Sequence, residues 1–549
     1  MILRRTLLIA CTAIAATASM AAMSVAAPRF RGEGGKGEGG GKGHGGDAEP
    51  SRTEDLHLAP AREQIAALKQ RVITSRALLE QYLRHIEATD PGLNAVVTLD
   101  AEAARAAADA ADRHLAKTGK PLGALHGLPL TVKDALETKG LRTTSGSPDL
   151  SGHVPERDAD AVALLRAAGA VIVGKTNVPV MCQDLQTSNP VFGTTRHPYD
   201  VTRTPGGSSG GAAVAVATGM TSVELCSDLA GSLRLPAAYC GVYALRPSGG
   251  VVPTRGHIPR PPDWVTSSDM LTIGPLARNA EDLDLALDVL AAPAPADAAA
   301  WRIDLPEPRH GRLADHRFGL WQDDPYCHVD EDTRTLLDQV AALLRAAGAS
   351  VDDSARPVDF AESDRLFQRL MFATASATAA DDAFAADVAA AEKIPVGDPS
   401  GLFLHSRTMR HRDWLRANED RERLRGRWAD YFATHDILIA PAVPAASVAD
   451  QASVPVPQRS ITVDGENRPY FDQTAWLNLA GLAGLPSVVM PAGRTADGLP
   501  LAVQLIGPYL ADRTVTAAAT RLARRLTGAT GPHGCDNRRD AHARALPGA

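Results

Sequence analysis

Aromatic and sulfur-containing side chains are scarce in this sequence. Phenylalanine, tryptophan and tyrosine together make up 4% of its 549 residues, and there are only six cysteines. No CxxC pair and no cysteine–histidine spacing typical of zinc occurs, and the cysteines form no recognisable disulfide framework. We therefore expect free, buried thiols in a core rich in alanine, valine and leucine. The cysteines are Cys11, Cys182, Cys226, Cys240, Cys327 and Cys535.

The chain also lacks a large excess of either charge. It has 57 basic and 64 acidic residues, a formal net charge of −7 and a pI near 6.2. This balance excludes a general attraction to nucleic acids or to anionic membranes. No internal repeat is present, and the length is sufficient to bury a sizeable core. The composition is typical of a soluble enzyme.

The N-terminal segment 1–27 is predicted to be a signal peptide. Arg4 and Arg5 precede an apolar, alanine-rich run that ends in small residues, and cleavage is expected after Ala26 or Ala27. A transmembrane anchor is the alternative, because the run is long enough to span a bilayer. Cleavage would leave no stable membrane anchor and would place the protein in the periplasm or outside the cell, by the Sec or the twin-arginine route.

Three segments follow the signal. Residues 28–54, which include the glycine-rich stretch 31–46, are predicted to be a disordered linker because they offer almost no apolar side chains to bury. A single large domain is expected over 55–530, with a helical insertion at about 350–430 that lacks strand signals. Residues 531–549 form a C-terminal tail.

Helical and strand patterns alternate along the domain, which predicts an α/β layered fold. Helical periodicity covers 61–91 without a break, and short apolar runs bounded by glycine or proline indicate strands. Further helices are expected at 101–116, 160–168, 212–218, 280–292 and 331–349, and strands at 128–132, 170–173, 221–226, 435–441, 484–493 and 499–508.

Two motifs, one typical of nucleotide binding and one typical of hydrolases, match the sequence formally, but their sequence context supports neither function. The segment 169–176 matches GxxxxGK[ST], but its interior is predicted to be a strand, whereas a phosphate loop must wrap around its ligand. The segment 206–210 matches GxSxG, but Pro205 precedes it where a strand should end. The histidines available as partners have no recognisable context; they are His257, His310, His405, His411 and His435.

Three other motifs, taken in order, have a clear match. They read GLPLTVKD at 127–134, PGGSSGG at 205–211 and DLAGSLRLPA at 228–237. In this order, with 24 residues between Ser208 and Ser232, they closely resemble the amidase signature family of serine hydrolases. The similarity continues over about 65–526, in the pieces 174–177, 188–190, 240–242, 274–278, 483–486 and 498–507. The family fold implied is a mixed central β-sheet covered by helices on both faces.

The resemblance implies a Ser–Ser–Lys catalytic centre. It assigns Ser232 as the nucleophile, Lys133 as the base and Ser208 as the proton bridge between them. A lysine accepts a proton only in its neutral form, which burial or nearby positive charge would favour. In the family the bridging serine follows a cis peptide, here Gly207–Ser208, and Ser209 is expected to give hydrogen-bonding support.

The residues around the nucleophile are expected to form an oxyanion hole. The resemblance assigns its donors to the main-chain N–H groups of Leu229, Ala230, Gly231 and Ser232. Asp228 and Arg234 are expected to brace this loop as an ion pair or through main-chain contacts. Ala230 departs from the family pattern, which usually has glycine there, and its methyl group lies near the expected acyl site.

The function implied is hydrolysis of a carboxamide to an acid and ammonia or an amine. Neither a metal nor a cofactor is implied, and the substrate is expected to be a small-molecule or peptide amide, bound in a pocket from residues 300–450 and around Trp476. A homodimer is possible in this family. Open alternatives are a peptide C-terminal amidase, an esterase on the same centre, a subunit that supplies ammonia for transamidation of transfer RNA, and a catalytically silent binding protein.

Overall fold

The computed structural model of the protein describes residues 55–530. The predicted signal peptide, glycine-rich linker and C-terminal tail therefore lie outside the described residues. Within this range no helix is long and apolar enough to cross a membrane. The four cysteines found there are free; Cys182 is partly exposed, and the other three are buried as expected.

The described residues form fifteen strands and fourteen α-helices. The strands are β1 (Val96–Leu99), β2 (Pro129–Lys133), β3 (Val171–Thr176), β4 (Ser188–Asn189), β5 (Gly193–Thr194), β6 (Val223–Asp228), β7 (Tyr243–Arg246), β8 (Thr272–Ala277), β9 (Arg317–Leu320), β10 (Ser350–Asp352), β11 (Ile437–Pro441), β12 (Ser460–Val463), β13 (Glu466–Pro469), β14 (Ser487–Arg494) and β15 (Pro500–Ile506). The helices are α1 (Ala61–Lys69), α2 (Ser75–Thr89), α3 (Ala101–Thr118), α4 (Asp160–Ala167), α5 (Gly210–Ala217), α6 (Arg234–Cys240), α7 (Ala280–Leu290), α8 (Glu331–Ala346), α9 (Phe360–Ser376), α10 (Asp381–Ala391), α11 (Leu402–Arg407), α12 (His411–Thr434), α13 (Ala475–Ala483) and α14 (Asp512–Thr530).

Eleven of these strands form one mixed sheet. Their order is β1-β3-β2-β6-β8-β7-β14-β15-β11-β9-β10. β2 runs parallel to both β3 and β6, whereas β6 and β8 are antiparallel. The carboxyl ends of β2 and β6 therefore meet at the same edge of the sheet, and this edge carries two of the three sequence motifs.

Both faces of the sheet are buried, because apolar side chains point alternately to either side of each strand. On β3, Ile172 belongs to an apolar cluster that includes residues of α1, α4, α7, α8 and α14, whereas Val171 and Val173 belong to a cluster that includes residues of α2, α3, α5 and α6. A third cluster packs α9, α12 and α13 against Leu438 and Ile506. The predicted mixed sheet with helices on both faces is confirmed.

Some elements differ from the predictions. The single helix expected over 61–91 is two helices, because Arg71 adopts a left-handed φ of 59° and the Thr74 side chain caps α2 by accepting a hydrogen bond from Ala77 N. The strand expected at 221–226 begins two residues later, at Val223. The region 350–430 opens with β10, for which no strand was predicted, and continues with α9 to α12.

The segment that matches a phosphate loop is a buried strand. β3 extends through Gly174, Lys175 and Thr176, and all six of its residues are buried. A Cβ atom at Gly174 would lie 2.3 Å from the carbonyl oxygen of Thr98 on β1, so this glycine allows two strands to approach closely. The segment has no room to wrap a phosphate.

Candidate active site

Lys133 is the last residue of β2, and its side chain is completely buried. Its Nζ lies 2.7 Å from Ser208 Oγ and 2.9 Å from Ser227 Oγ, within hydrogen-bonding distance of both. Ser227 is on β6, and the pairing of Val132 with Leu225 explains why the two strand ends meet. The structure therefore brings together Lys133 and Ser208, which the sequence separates by 75 residues.

Ser208 is held in a tight glycine turn before α5. The Gly207–Ser208 peptide bond is cis, as the resemblance implies. A Cβ atom at Gly207 would lie 2.7 Å from the carbonyl oxygen of Asp184 and 2.8 Å from Gln186 N. Only glycine allows this close approach, so the glycines around Ser208 serve to seat its hydroxyl against Lys133.

Ser232 lies in the turn between β6 and α6, next to the Ser208 segment. The main-chain N–H of Ser209 donates a hydrogen bond to the carbonyl oxygen of Ser232 at 3.0 Å. Ser232 is partly exposed, whereas Ser208 and Lys133 are buried. The three residues therefore lead from a buried amine to a partly exposed serine. Ser209 gives its support through the main chain.

Asp228 and Arg234 form the buried ion pair that was one of the two predicted arrangements. Arg234 Nε lies 2.9 Å from Asp228 Oδ2, and both side chains are fully buried. Arg246 Nε approaches the other carboxylate oxygen at 3.6 Å. Burial alone would raise the pKa of Asp228, but the two guanidinium charges and hydrogen bonds outweigh it and hold this pKa well below its usual range. The carboxylate is thus a fixed anchor for the turn that carries Ser232.

A family model for Amidase matches residues 77–516 of the chain. The chain belongs to the amidase family. Among its relatives is a glutamyl-tRNA(Gln) amidotransferase subunit from Cyanothece sp. (strain PCC 7425 / ATCC 29141), which is 30% identical over 493 residues, 84% of this chain and 97% of that protein.

Solved structures of the amidase family share the fold. A bacterial aryl acylamidase of the amidase signature enzymes is 25% identical with a TM-score of 0.73, and the match covers 90% of this chain and 100% of the other. A chain from a vestigial protein complex that reveals the origins of an s-triazine catabolic enzyme is 28% identical with a TM-score of 0.71; that match covers 86% of this chain and 98% of the other.

The amidase turn differs from the prediction at one expected oxyanion donor. The N–H of Gly231 donates to Asp228 Oδ1 at 3.0 Å, so it points into the turn. This geometry does not support Gly231 as a donor to substrate, although it explains how Asp228 shapes the loop. The N–H groups that remain from the predicted set belong to Leu229, Ala230 and Ser232, the three residues of this set that are partly exposed.

Gly231→Ala is expected to lower kcat by about ten- to a hundredfold, because displaced reacting groups lose rate steeply. Gly231 has a φ of 91°, and a Cβ atom there would lie 2.7 Å from Leu477 Cδ1 on the buried helix α13. The matched control is Gly250→Ala, since Gly250 has a φ of 89° with open space around its Cβ position. Steady-state kinetics and thermal unfolding of both variants check this; equal kcat losses would contradict it.

Two polar residues of this amidase site were not among the predicted site residues. Ser227 contacts Lys133, and His257 Nε2 lies 2.8 Å from Ser227 Oγ. Burial, followed by the charge of Lys133, lowers the pKa of His257 to about 3. The sequence suggests His257 only as a partner for a GxSxG serine. Its actual approach to Ser227 depends on a bridge to Leu136 that local sequence does not reveal.

A second buried polar layer lies beside Lys133. Glu224 accepts hydrogen bonds from the hydroxyls of Thr131 and Thr176. Burial raises the pKa of Glu224 to about 7, against the opposing effects of those bonds and of nearby lysine charges, and burial lowers the pKa of Lys175 to about 8. Glu224 therefore holds its proton more tightly than an exposed carboxyl does.

Part of the turn that carries Ser232 packs against an apolar cluster. Ala230 and Met270 pack, partly buried, against the cluster that contains α9, α12 and α13. Trp476, which was expected near the acyl pocket, is fully buried, donates from Nε1 to the carbonyl oxygen of Cys327 and packs edge-on against Phe360. Trp476 itself therefore belongs to the core beneath this surface.

Among the described residues no cluster of three or more histidine, cysteine or acidic side chains could hold a metal ion. The candidate centre consists of Lys133, Ser208 and Ser232, with Ser227 and His257 behind the lysine.

Proposed function

We propose that this protein is an exported amidase that hydrolyses a carboxamide C–N bond through an acyl-enzyme on Ser232. The observation that carries the proposal is the buried contact of 2.7 Å between Lys133 Nζ and Ser208 Oγ, next to the main-chain bond that joins Ser209 to Ser232. A serine hydroxyl is a weak nucleophile unless an adjacent base activates it. This arrangement supplies a base and a bridge without a histidine triad.

Acylation follows from this order of groups. Ser232 Oγ bonds to the carbonyl carbon of the substrate while its proton passes to Ser208 Oγ and the Ser208 proton passes to neutral Lys133. The negative oxygen that develops accepts hydrogen bonds from main-chain N–H groups of the turn, at the partly exposed residues Leu229, Ala230 and Ser232. The C–N bond then breaks, and the departing nitrogen takes a proton from Ser208, which recovers one from Lys133.

Deacylation uses the same relay with water in place of Ser232. Water loses a proton to Ser208 as its oxygen bonds to the acyl carbon, and Lys133 again receives the transferred proton. The Ser232–acyl bond breaks, and the serine oxygen recovers its proton from the relay. The products are a carboxylic acid and ammonia or an amine.

The signal-like segment 1–27 supports an exported enzyme acting on small-molecule or peptide amides, in the periplasm or outside the cell. The net charge of −7 supports no nucleic-acid partner. A homodimer is part of the proposal. Separating periplasm from cytoplasm and sequencing the mature N-terminus tests the location; an intact N-terminus in the cytoplasm would contradict it.

The amidotransferase relatives support a second candidate, a subunit that releases ammonia for a partner enzyme. Esterase or peptide C-terminal amidase activity would use the same centre. A silent binding protein is supported only by Ala230, and the contact between Lys133 and Ser208 favours chemistry over silence. A panel of amides, anilides, peptide amides and esters, assayed without any partner, separates these candidates.

Labelling with a fluorophosphonate probe is the sharpest test of the proposed nucleophile, because the probe needs no knowledge of the natural substrate. We expect one modified peptide, with the label on Ser232, and competition by any good amide substrate. Peptide mapping by mass spectrometry locates the label. Label on Ser208, or active protein that takes up none, would overturn the assignment.

A further inference from the structure

A second hydrogen-bonded chain leaves Lys133 on the side away from Ser208. Lys133 Nζ lies 2.9 Å from Ser227 Oγ, and Ser227 Oγ lies 2.8 Å from His257 Nε2. All three residues are buried, with 5% of His257 exposed. We propose that His257 is a positioning residue that accepts the Ser227 proton and thereby keeps the lone pair of Lys133 directed at Ser208. The inference rests on the proposed function, since it concerns how the base is prepared.

The direction of these hydrogen bonds follows from a count of protons. A serine hydroxyl has one proton to donate, whereas a neutral lysine has two N–H bonds and one lone pair. The Ser227 proton can go to the Lys133 lone pair or to His257 Nε2. In the first case the lone pair is occupied, and Lys133 cannot accept the proton of Ser208. In the second case Lys133 donates to Ser227, Ser227 donates to His257, and the lone pair stays available.

This direction requires an uncharged histidine whose Nε2 is an acceptor. A protonated imidazole would donate from Nε2 and reverse the chain. Burial is the largest cause of the low pKa of His257, about 3, so the ring is neutral throughout the physiological range. The site thus satisfies the requirement without any further charged partner.

The main chain fixes the position of this ring. Ile258 N donates to the carbonyl oxygen of Ala135 at 2.8 Å, and Glu137 N donates to the carbonyl oxygen of Gly256 at 2.9 Å. These bonds attach His257 to the segment that directly follows Lys133.

Among the described residues, Glu224 and Cys226 on β6 and His257 on the attached loop are titratable groups that interact electrostatically with Lys133. Burial raises the pKa of Cys226 well above its usual value, so this thiol stays neutral. Glu224 is common to the wild type and to any His257 variant, so a difference between their rates reports on His257.

The test compares His257→Phe, which removes the acceptor, with His257→Gln, whose amide oxygen can replace it. We expect His257→Phe to lower the rate of fluorophosphonate labelling at Ser232, and kcat/KM on the best anilide of the panel, by about tenfold. His257→Gln should recover most of the rate, because its amide oxygen can accept the Ser227 proton.

Ser227→Ala and the double variant Ser227→Ala/His257→Phe test whether His257 acts through Ser227. If it does, the double variant should be no slower than Ser227→Ala within about twofold, since coupled residues are not additive. Multiplied losses, or a His257→Phe rate within about twofold of wild type, would overturn the proposal. So would a His257→Gln rate as low as that of His257→Phe, which is what a purely structural role predicts.

His197→Phe is the matched control for burial of an aromatic ring in place of a neutral histidine. His197 is fully buried, lies 3.0 Å from the carbonyl oxygen of Tyr239 and has a pKa lowered by burial to about 4. It should lose thermal stability while its labelling rate at Ser232 falls far less than that of His257→Phe. If wild-type protein neither labels nor turns over any substrate, the proposed function fails. If wild-type protein is active and the His257 variants behave like it, this inference fails while the proposed function stands.

Discussion

Ser232→Ala should abolish hydrolysis, with kcat reduced by about 10⁴-fold or more, because no other hydroxyl can form the acyl-enzyme. The loss should appear without a change in thermal unfolding. Ser232 is partly exposed, and its hydrogen bond to the Ser208 segment uses its main-chain carbonyl, which alanine retains. Steady-state kinetics, fluorophosphonate labelling and calorimetry on the same preparation measure all three quantities.

Ser209→Ala is the matched control, since Ser209 precedes α5 directly after the bridging serine. Its contribution to the site is its main-chain N–H, so the variant should keep kcat within about tenfold of wild type. Hydrolysis retained by Ser232→Ala would remove Ser232 from the mechanism. If both variants lost hydrolysis while Ser209→Ala was still labelled at Ser232, Ser209 would be a further participant in catalysis.

The parts of this fold and site that local sequence determines were predictable. The strand that ends at Lys133 and the turn that holds Ser208 are contiguous segments with strong local signals, namely an apolar run and clustered glycines. The mixed sheet followed from the family resemblance, whose three motifs keep their order and spacing. The first and third motifs meet in space because β2 pairs in parallel with β6.

The parts that depend on distant contacts were not predictable. Ser227 reads as one more residue of a buried strand, and His257 reaches it only because Leu136 bridges to the histidine segment. Periodicity continues through Arg71, where a left-handed residue and the Thr74 cap divide the first helix. Nothing in the local sequence indicates that the N–H of Gly231 donates a hydrogen bond to Asp228. Each of these features is determined by tertiary contacts and not by the local sequence.

In this site the partly exposed residue, Ser232, and the proposed base, Lys133, are separate groups. Ser232 is partly exposed, while Lys133 is fully buried and contacts Ser208. The bridging serine lets the base remain buried while the nucleophile remains accessible, and this requirement explains why the site uses two serines.

Lys133→Met should lower kcat by about a thousandfold or more, because the relay then ends at Ser208 with no group to take its proton. Methionine nearly preserves the buried volume, and the unpartnered hydroxyls of Ser208 and Ser227 should cost about 1–3 kcal/mol of stability. Lys133→Arg should be equally inactive although it keeps the charge, because a guanidinium stays protonated. Kinetics at saturating substrate, together with unfolding in urea, measure both effects.

Lys175→Met provides the control for removing a buried lysine from this sheet. Lys175 lies on the adjacent strand β3, is fully buried, and donates to Thr138 Oγ1 at 2.8 Å and to the carbonyl oxygen of Leu136. It should lose comparable stability while turnover per folded molecule falls far less. Equal losses of turnover in the two variants would mean that Lys133 acts through the stability of the sheet; a Lys133→Met enzyme with near wild-type kcat would remove it as the base.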